Sequence, residues 1–183
     1  INNLKYLTNG QNLGIVETLN RGVDLVQSPY IVRMDGDDIM LPRRLERQLK
    51  FLDVNFEYGI VGSWYHVIDD KGKQTKSMRL NTEHDFLKLM LMFTNTFAHS
   101  SITMRTDLAK KLRYDKNFQY CEDHDLWLRF SKIAKIANLP EFHLASRRHA
   151  GSTCSQKQRE LKTLVLNLLS RELDELGINH TEQ

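Results

Sequence analysis

The residues of this sequence best suited to chemistry are acidic. Asp35, Asp37 and Asp38 crowd around Gly36, directly after the apolar run Tyr30, Ile31, Val32, Arg33, Met34. Carboxylates at the exit of a buried strand form a hard-oxygen site suited to Mg²⁺ or Mn²⁺ carrying a phosphate ester. The plainer alternative is an ordinary turn, because Asp and Gly dominate turns and a solvated acidic loop needs no metal. A second acidic pair, Glu122-Asp123, opens the helical pattern Leu126, Trp127, Phe130, Ile133, Ala134. On spacing alone that pair suits a helix N-terminus, where exposed amides and the helix dipole favour negative charge.

The elements that must position these groups alternate. Ile15, Val16, Leu19, Val23 and Val26 recur at helical spacing, Ser28-Pro29 ends that helix, and 30–34 reads as a buried strand. Leu41-Pro42 opens a second helix with Pro42 at its first position, placing Leu45, Leu49 and Leu52 opposite a solvated basic face of Arg43, Arg44, Arg47 and Lys50. The acidic loop therefore falls between strand and helix, where open α/β sheets bind ligands. Farther on, 60–68 reads as a strand, Asp69-Asp70-Lys71-Gly72 as a hairpin turn and 74–80 as its returning arm. Helices are expected over 85–92 and 106–112, and strands over 101–104, 135–139 and 142–148. A closing helix over 156–176 carries Leu161, Leu164, Val165, Leu168, Leu169, Leu173 and Leu176 along one stripe. Trp127 and Phe130 are expected in the core, and Trp64 and Tyr65 in sheet packing.

Composition narrows the class. The 183 residues are 40% hydrophobic and 27% charged with a net charge of +3, which fits one globular domain and is too mild for a nucleic-acid binder. Cys121 and Cys154 lack the spacing of a zinc site or a disulfide framework, so a reducing, cytoplasmic setting is the simplest expectation. No apolar stretch approaches the roughly 20 residues needed to span a bilayer.

An ordered set of short motifs adds a family. Asn12-Leu13-Gly14, Leu19-Asn20-Arg21-Gly22, Asp35-Gly36-Asp37-Asp38, the run from Pro42 to Gln48, Glu122-Asp123-His124-Asp125-Leu126-Trp127-Leu128-Arg129 and Arg147-Arg148-His149 together resemble the family-two glycosyltransferases. The resemblance covers about Asn12 to about Ser155. It implies an α/β GT-A, Rossmann-like fold with a mixed, mostly parallel central sheet. It divides the chain into a domain over 1–154 and a C-terminal helical extension over 155–183. The family's first strands, including one that ends in a uracil-contacting aspartate, would lie before Ile1, so an N-terminal truncation is expected. Departures are His124 in place of an aromatic, Gly36 in place of a usual alanine and Ser146 in place of a common tyrosine.

By the same resemblance, Asp35 and Asp37 form the DXD motif that meets the donor's ribose and a Mn²⁺ or Mg²⁺ ion on its diphosphate, with Asp38 adjoining. Asp123 corresponds to the general base, Glu122 to a residue orienting acceptor or base, and His149 to a metal ligand. His99, Ser100 and Ser101 fall where members place acceptor-side loop residues. The implied reaction is inverting transfer of a sugar from a nucleotide-sugar donor, a UDP-sugar above others, to a glycan or lipid-linked acceptor in cell-envelope polysaccharide synthesis. Peripheral association with the inner face of a membrane and homodimerisation are compatible with it. The competing classes are a metal-dependent nucleotidyltransferase or phosphohydrolase and a non-catalytic sugar- or nucleotide-binding module. The first would want a Gly-rich phosphate loop or a catalytic Lys, and neither stands near the cluster.

Overall fold

The computed structural model describes residues 4–148 and 158–178. Helix α1 (Gly14–Leu25) starts where Asn12 Oδ1 accepts the Gly14 amide at 2.9 Å, and it turns Val16, Asn20 and Val23 inward at helical spacing. Strand β1 (Tyr30–Val32) follows the Pro29 break, and the acidic loop leads into the short strand β2 (Ile39–Met40). Helix α2 (Arg44–Val54), the long strand β3 (Tyr58–Ile68) and its hairpin partner β4 (Gln74–Met78) come next. Then follow α3 (His84–Leu91), a 3₁₀ turn at His99–Ser101, β5 (Thr103–Arg105) and α4 (Thr106–Leu112). Helix α5 (Glu122–Ile133), strand β6 (Lys135–Arg147) and helix α6 (Gln158–Glu175) complete the described chain.

The sheet order is β1-β5-β3-β6-β2, with β4 beside the far half of β3. Of the five ladders among the described residues only β3 with β6 is parallel, which corrects the expectation of a mostly parallel sheet. The α2 crossover does set β1 and β3 in the same direction, as βα alternation suggests. However, β5 slots between them antiparallel to both, at Met104 opposite Ile31 and Ile60. The two strand segments expected around Pro140 form a single strand. Its register against β3 shifts between Ser63 and Trp64, where Leu139 and Phe142 are the partners, so Pro140 falls in an irregularity that spares a ladder its missing N–H.

Helix α2 turns a different face inward from the one its leucines suggest. Arg44, Gln48 and Leu52, four residues apart, are buried, whereas Leu45 is exposed. The helix also starts at Arg44, after Arg43 in the left-handed region at φ 66°, and not at Pro42. The burial of Arg44 follows from its partners. Its guanidinium donates to Arg33 O at 2.9 Å, to Ile102 O at 3.1 Å and to Gln48 Oε1 at 3.1 Å. Gln48 in turn donates to Ser101 O at 2.7 Å and accepts from Thr103 Oγ1 at 2.7 Å. The remaining arginines of the expected basic face are paired, Arg43 with Glu46 and Arg47 with Glu141.

The main core lies on the other side of the sheet, where Leu87, Leu91, Phe97, Leu126, Trp127, Phe130 and Ile136 pack together. Helix α6 closes it. Leu168 is fully buried, and Leu161, Leu164 and Val165 pack against the cluster, so the leucine stripe docks on the domain itself. Gly62 permits the close approach of the 95–101 segment to the sheet, because a Cβ there would lie 2.3 Å from Asn138 Oδ1 and 2.7 Å from Phe97 Cδ1. No helix among the described residues is long and apolar enough to cross a membrane.

Arg44→Ala leaves two buried carbonyls and the Gln48 amide short of a donor. Its unfolding free energy in urea should fall by roughly 3 kcal/mol, and Arg44→Lys should recover little, since one ammonium cannot reproduce the planar fork. Wild-type stability in Arg44→Ala would refute the assignment.

Candidate active site

Strand β1 delivers the chain into the acidic loop, and its exit is fixed by the Arg33 amide donating to Ile102 O at 3.0 Å. Arg33 pairs with the Asp35 carboxylate, and Ser100 completes a triangle. Its Oγ donates to Asp35 Oδ2 at 2.8 Å and accepts from Arg33 Nη1 at 2.8 Å and from the Asp35 amide at 3.2 Å. Burial raises the Asp35 pKa, but the Arg33 and Ser100 interactions outweigh it and hold the carboxyl below its ordinary value. Asp38 Oδ1 accepts the Arg147 amide at 2.7 Å, and the Arg147 side chain donates to Asp37 O at 2.9 Å, Asp69 O at 2.7 Å and Asp70 O at 3.1 Å. One arginine from the end of β6 thus joins the acidic loop to the β3–β4 turn.

The second acidic pair stands at the first turn of α5. Glu122 is buried and its Oε2 finds no hydrogen-bond partner among the described residues. Burial, together with the charge of Asp123, raises its pKa. Asp123 is half-buried and accepts on both oxygens, from Asn95 Nδ2 and from the His124 amide, each at 2.7 Å. His124 turns inward and meets Leu91 O at 2.6 Å, so it fills the core as the expected aromatic would. Asp125, fully buried, is held by Arg129 Nε at 2.9 Å and by Arg171 of α6 at 2.6 Å.

One segment of the fold reaches both acidic groups, Asn95 Nδ2 donating to Asp123 Oδ2 and Ser100 Oγ to Asp35 Oδ2, and between them it carries His99. His99 Nε2 and Tyr114 Oη lie 2.9 Å apart in the interior. The charges of Asp35 and Asp123 both act on His99, and those of Asp35, Glu122 and Asp123 all act on Tyr114. Burial pushes His99 down to about 4, so it is neutral at physiological pH. Beside this pair, α1 and β1 line a groove of about 580 Å³ that includes Arg33, Asp35 and Tyr114.

A profile of glycosyl transferase family 2 matches residues 1–113. The chain belongs to this family. Among family-two relatives, the amylovoran biosynthesis glycosyltransferase AmsE of Erwinia amylovora is 31% identical over 150 residues, 81% of this chain and 55% of the relative. The O-antigen biosynthesis glycosyltransferase WbnJ of Escherichia coli is 35% identical over 139 residues, 74% of this chain and 54% of the relative. The chain spans about half the length of these curated relatives. A crystal structure of glucosyl-3-phosphoglycerate synthase from Mycobacterium tuberculosis, solved with Mn²⁺, UDP-glucose and phosphoglyceric acid, superposes with a TM-score of 0.56 at 18% identity over 92% of this chain and 57% of that one. The shared fold is that of the GT-A glycosyltransferases.

Within this family-two frame, the 95–100 segment hydrogen-bonds both Asp35 and Asp123, Glu122 stands beside Asp123 in the first turn of α5, and Asp37 and Asp38 lie on the same loop as Asp35. His149, read as a metal ligand from sequence, lies outside the described residues. Among the described residues no three His, Cys, Asp or Glu side chains converge as a metal cage. The donor set still fits a hard divalent ion chemically, since carboxylate oxygens suit Mg²⁺ or Mn²⁺ and such ions take the rest of their coordination from phosphates and water. Sequence reasoning missed Arg33 and Asn95. Arg33 left a trace, as a lone charge inside an apolar run two residues before Asp35. Asn95 left none.

The raised Glu122 pKa has a thermodynamic consequence. The folded protein holds the proton to higher pH than the unfolded chain does, so stability falls as pH climbs from the ordinary 4.5 to the raised folded value and stays lower above it. Glu122→Gln should therefore gain stability relative to wild type as pH rises through that window, read as a widening gap in urea midpoints. A pH-independent gap would show that Glu122 titrates normally.

Proposed function

We propose that this family-two protein is an inverting glycosyltransferase that moves a sugar from a nucleotide-sugar donor, a UDP-sugar foremost, to a hydroxyl of a glycan or lipid-linked acceptor. The observation that carries the reading is that one short span, Asn95 to Ser100, hydrogen-bonds both acidic groups, Asp123 at one end and Asp35 at the other, although they lie nearly ninety residues apart in sequence. A solvated turn and an isolated helix cap would have no reason to share such a span. The names of AmsE and WbnJ favour bacterial polysaccharide assembly as the setting.

Each group has a distinct role in this mechanism. Asp37 and Asp35, with His149 as an additional ligand, would hold a divalent ion with the donor diphosphate, and Asp38 shapes the loop through its bond to the Arg147 amide. When bound, that ion neutralises charge developing on the leaving nucleoside diphosphate. Asp123 takes the proton of the acceptor hydroxyl as that oxygen attacks the anomeric carbon from the side opposite the diphosphate. The anomeric C–O bond breaks, its electron pair leaves with the diphosphate, and configuration inverts. Glu122, buried beside Asp123, orients the acceptor or the base.

A donor screen on the full-length protein, with and without Mn²⁺, reads release of nucleoside diphosphate and should find at least one metal-dependent donor. If no nucleotide sugar is turned over and none binds more tightly with metal, the reading fails. Asp123→Asn should lower kcat by about 10³-fold with donor affinity retained, the loss typical of a general base. If turnover survives, Asp123 is only part of a helix terminus.

A further inference from the structure

A single short span of chain touches both halves of the site. Asn95 Nδ2 donates to Asp123 Oδ2 at 2.7 Å, and five residues later Ser100 Oγ donates to Asp35 Oδ2 at 2.8 Å. The residues between are tied to the interior. Asn138 Nδ2 donates to Thr96 O at 3.2 Å, and the Phe97 ring packs against Trp127 with centroids 6.0 Å apart. The His99 ring stands edge-on to Trp127 at 5.6 Å and bonds to Tyr114 Oη. The Ser101 amide closes the turn on Ala98 O at 2.8 Å.

We propose that residues 95–100 are a rigid strap that sets the donor-side Asp35 and the base Asp123 at a fixed separation. Asn95 and Ser100 act as its positioning residues, and the His99–Tyr114 bond is its anchor. This inference rests on the function proposed above. The orientation of the Asn95 amide is imposed by the strap, because its Oδ1 accepts the Phe97 amide at 3.1 Å and only Nδ2 is left to face the carboxylate. Likewise, Ser100 has one proton, and with Arg33 and the Asp35 amide donating to its oxygen that proton must go to Asp35. Displacement transfer needs both reactants placed to a fraction of an ångström, and one strap spanning the two carboxylates supplies that constraint.

The test separates the two ends. Asn95→Ala should lower kcat roughly 10- to 100-fold and leave the Kd for nucleoside diphosphate with Mn²⁺ within about twofold, whereas Ser100→Ala should raise that Kd about tenfold and change kcat little. Tyr114→Phe, which removes only the anchor's hydroxyl, should produce both defects together in a protein that remains folded. Identical mixed defects in Asn95→Ala and Ser100→Ala, or a silent Tyr114→Phe, would overturn the strap. Amide hydrogen exchange over 96–101, measured without substrate, must be slower in wild type than in Tyr114→Phe, and equal rates overturn the strap whatever turnover shows. Wild-type protein assayed in parallel keeps the readings apart, since absence of any donor turnover removes the proposed function and leaves the exchange result to judge the strap.

Discussion

The structure depends on a guanidinium taken out of water. Arg44 is 1% exposed, and desolvation is severe enough to push its pKa down to about 10, yet it remains charged at neutral pH. Instead of a carboxylate, it meets the carbonyls of Arg33 and Ile102, which belong to the exits and entrances of two neighbouring strands. Through Gln48 the same network reaches Ser101 and Thr103. One buried side chain thus locks the end of β1, the start of β5 and the 3₁₀ turn bearing Ser100 against α2. The acidic loop leaves from that junction, with Asp38 close enough to act on Arg44 and Asp35 paired to Arg33. Two arginines lie beneath the carboxylates, which lets a strand exit carry so much negative charge before any ion or ligand arrives.

The opposite side of the site is organised by a different charge. Asp125 is fully buried and bridges Arg129 of its own helix and Arg171 of α6. Lys132 adds Glu172 and Glu175 to the same seam. Removing one partner from a buried set strands the others, so α6 is coupled to the first turns of α5 electrostatically as well as through Leu168. Four consecutive polar residues, Glu122 to Asp125, are sorted by the 100° step of the helix: Glu122, His124 and Asp125 go inward and Asp123 stays half open.

That sorting explains where the sequence was readable and where it was not. Helical periodicity and breakers placed α1, α3, α4, α5 and the β3–β4 hairpin within a residue or two, and put Trp127 and Phe130 in the core, because local pattern and burial agree there. The face of α2 was misread because hydrophobicity assigns arginine and glutamine to solvent, and only carbonyls from residues 33, 101 and 102 reverse that preference. Sheet direction was misread because alternating helices and strands report on β1 and β3 but say nothing of a three-residue strand inserted later between them. The acidic motifs were legible as types in order. Their pairings with Ser100, Asn95 and Arg171 were not, since each contact joins segments 28 to 65 residues apart, and Ser100, expected on the acceptor side, instead bonds Asp35.

Asp35 and Glu122 are driven in opposite directions. Asp35 is held below its ordinary pKa by a cation and a hydroxyl, while Glu122 is raised by burial and by its acidic neighbour. Environments that separate titratable groups in this way assign them different work. The Asp35 carboxylate is stabilised as an anion whose charge is shared with Arg33. Asp123, by contrast, receives neutral donors among the described residues, the Asn95 amide and a backbone N–H, and the nearby His99 is uncharged. Neutral donors orient a carboxylate without cancelling its charge.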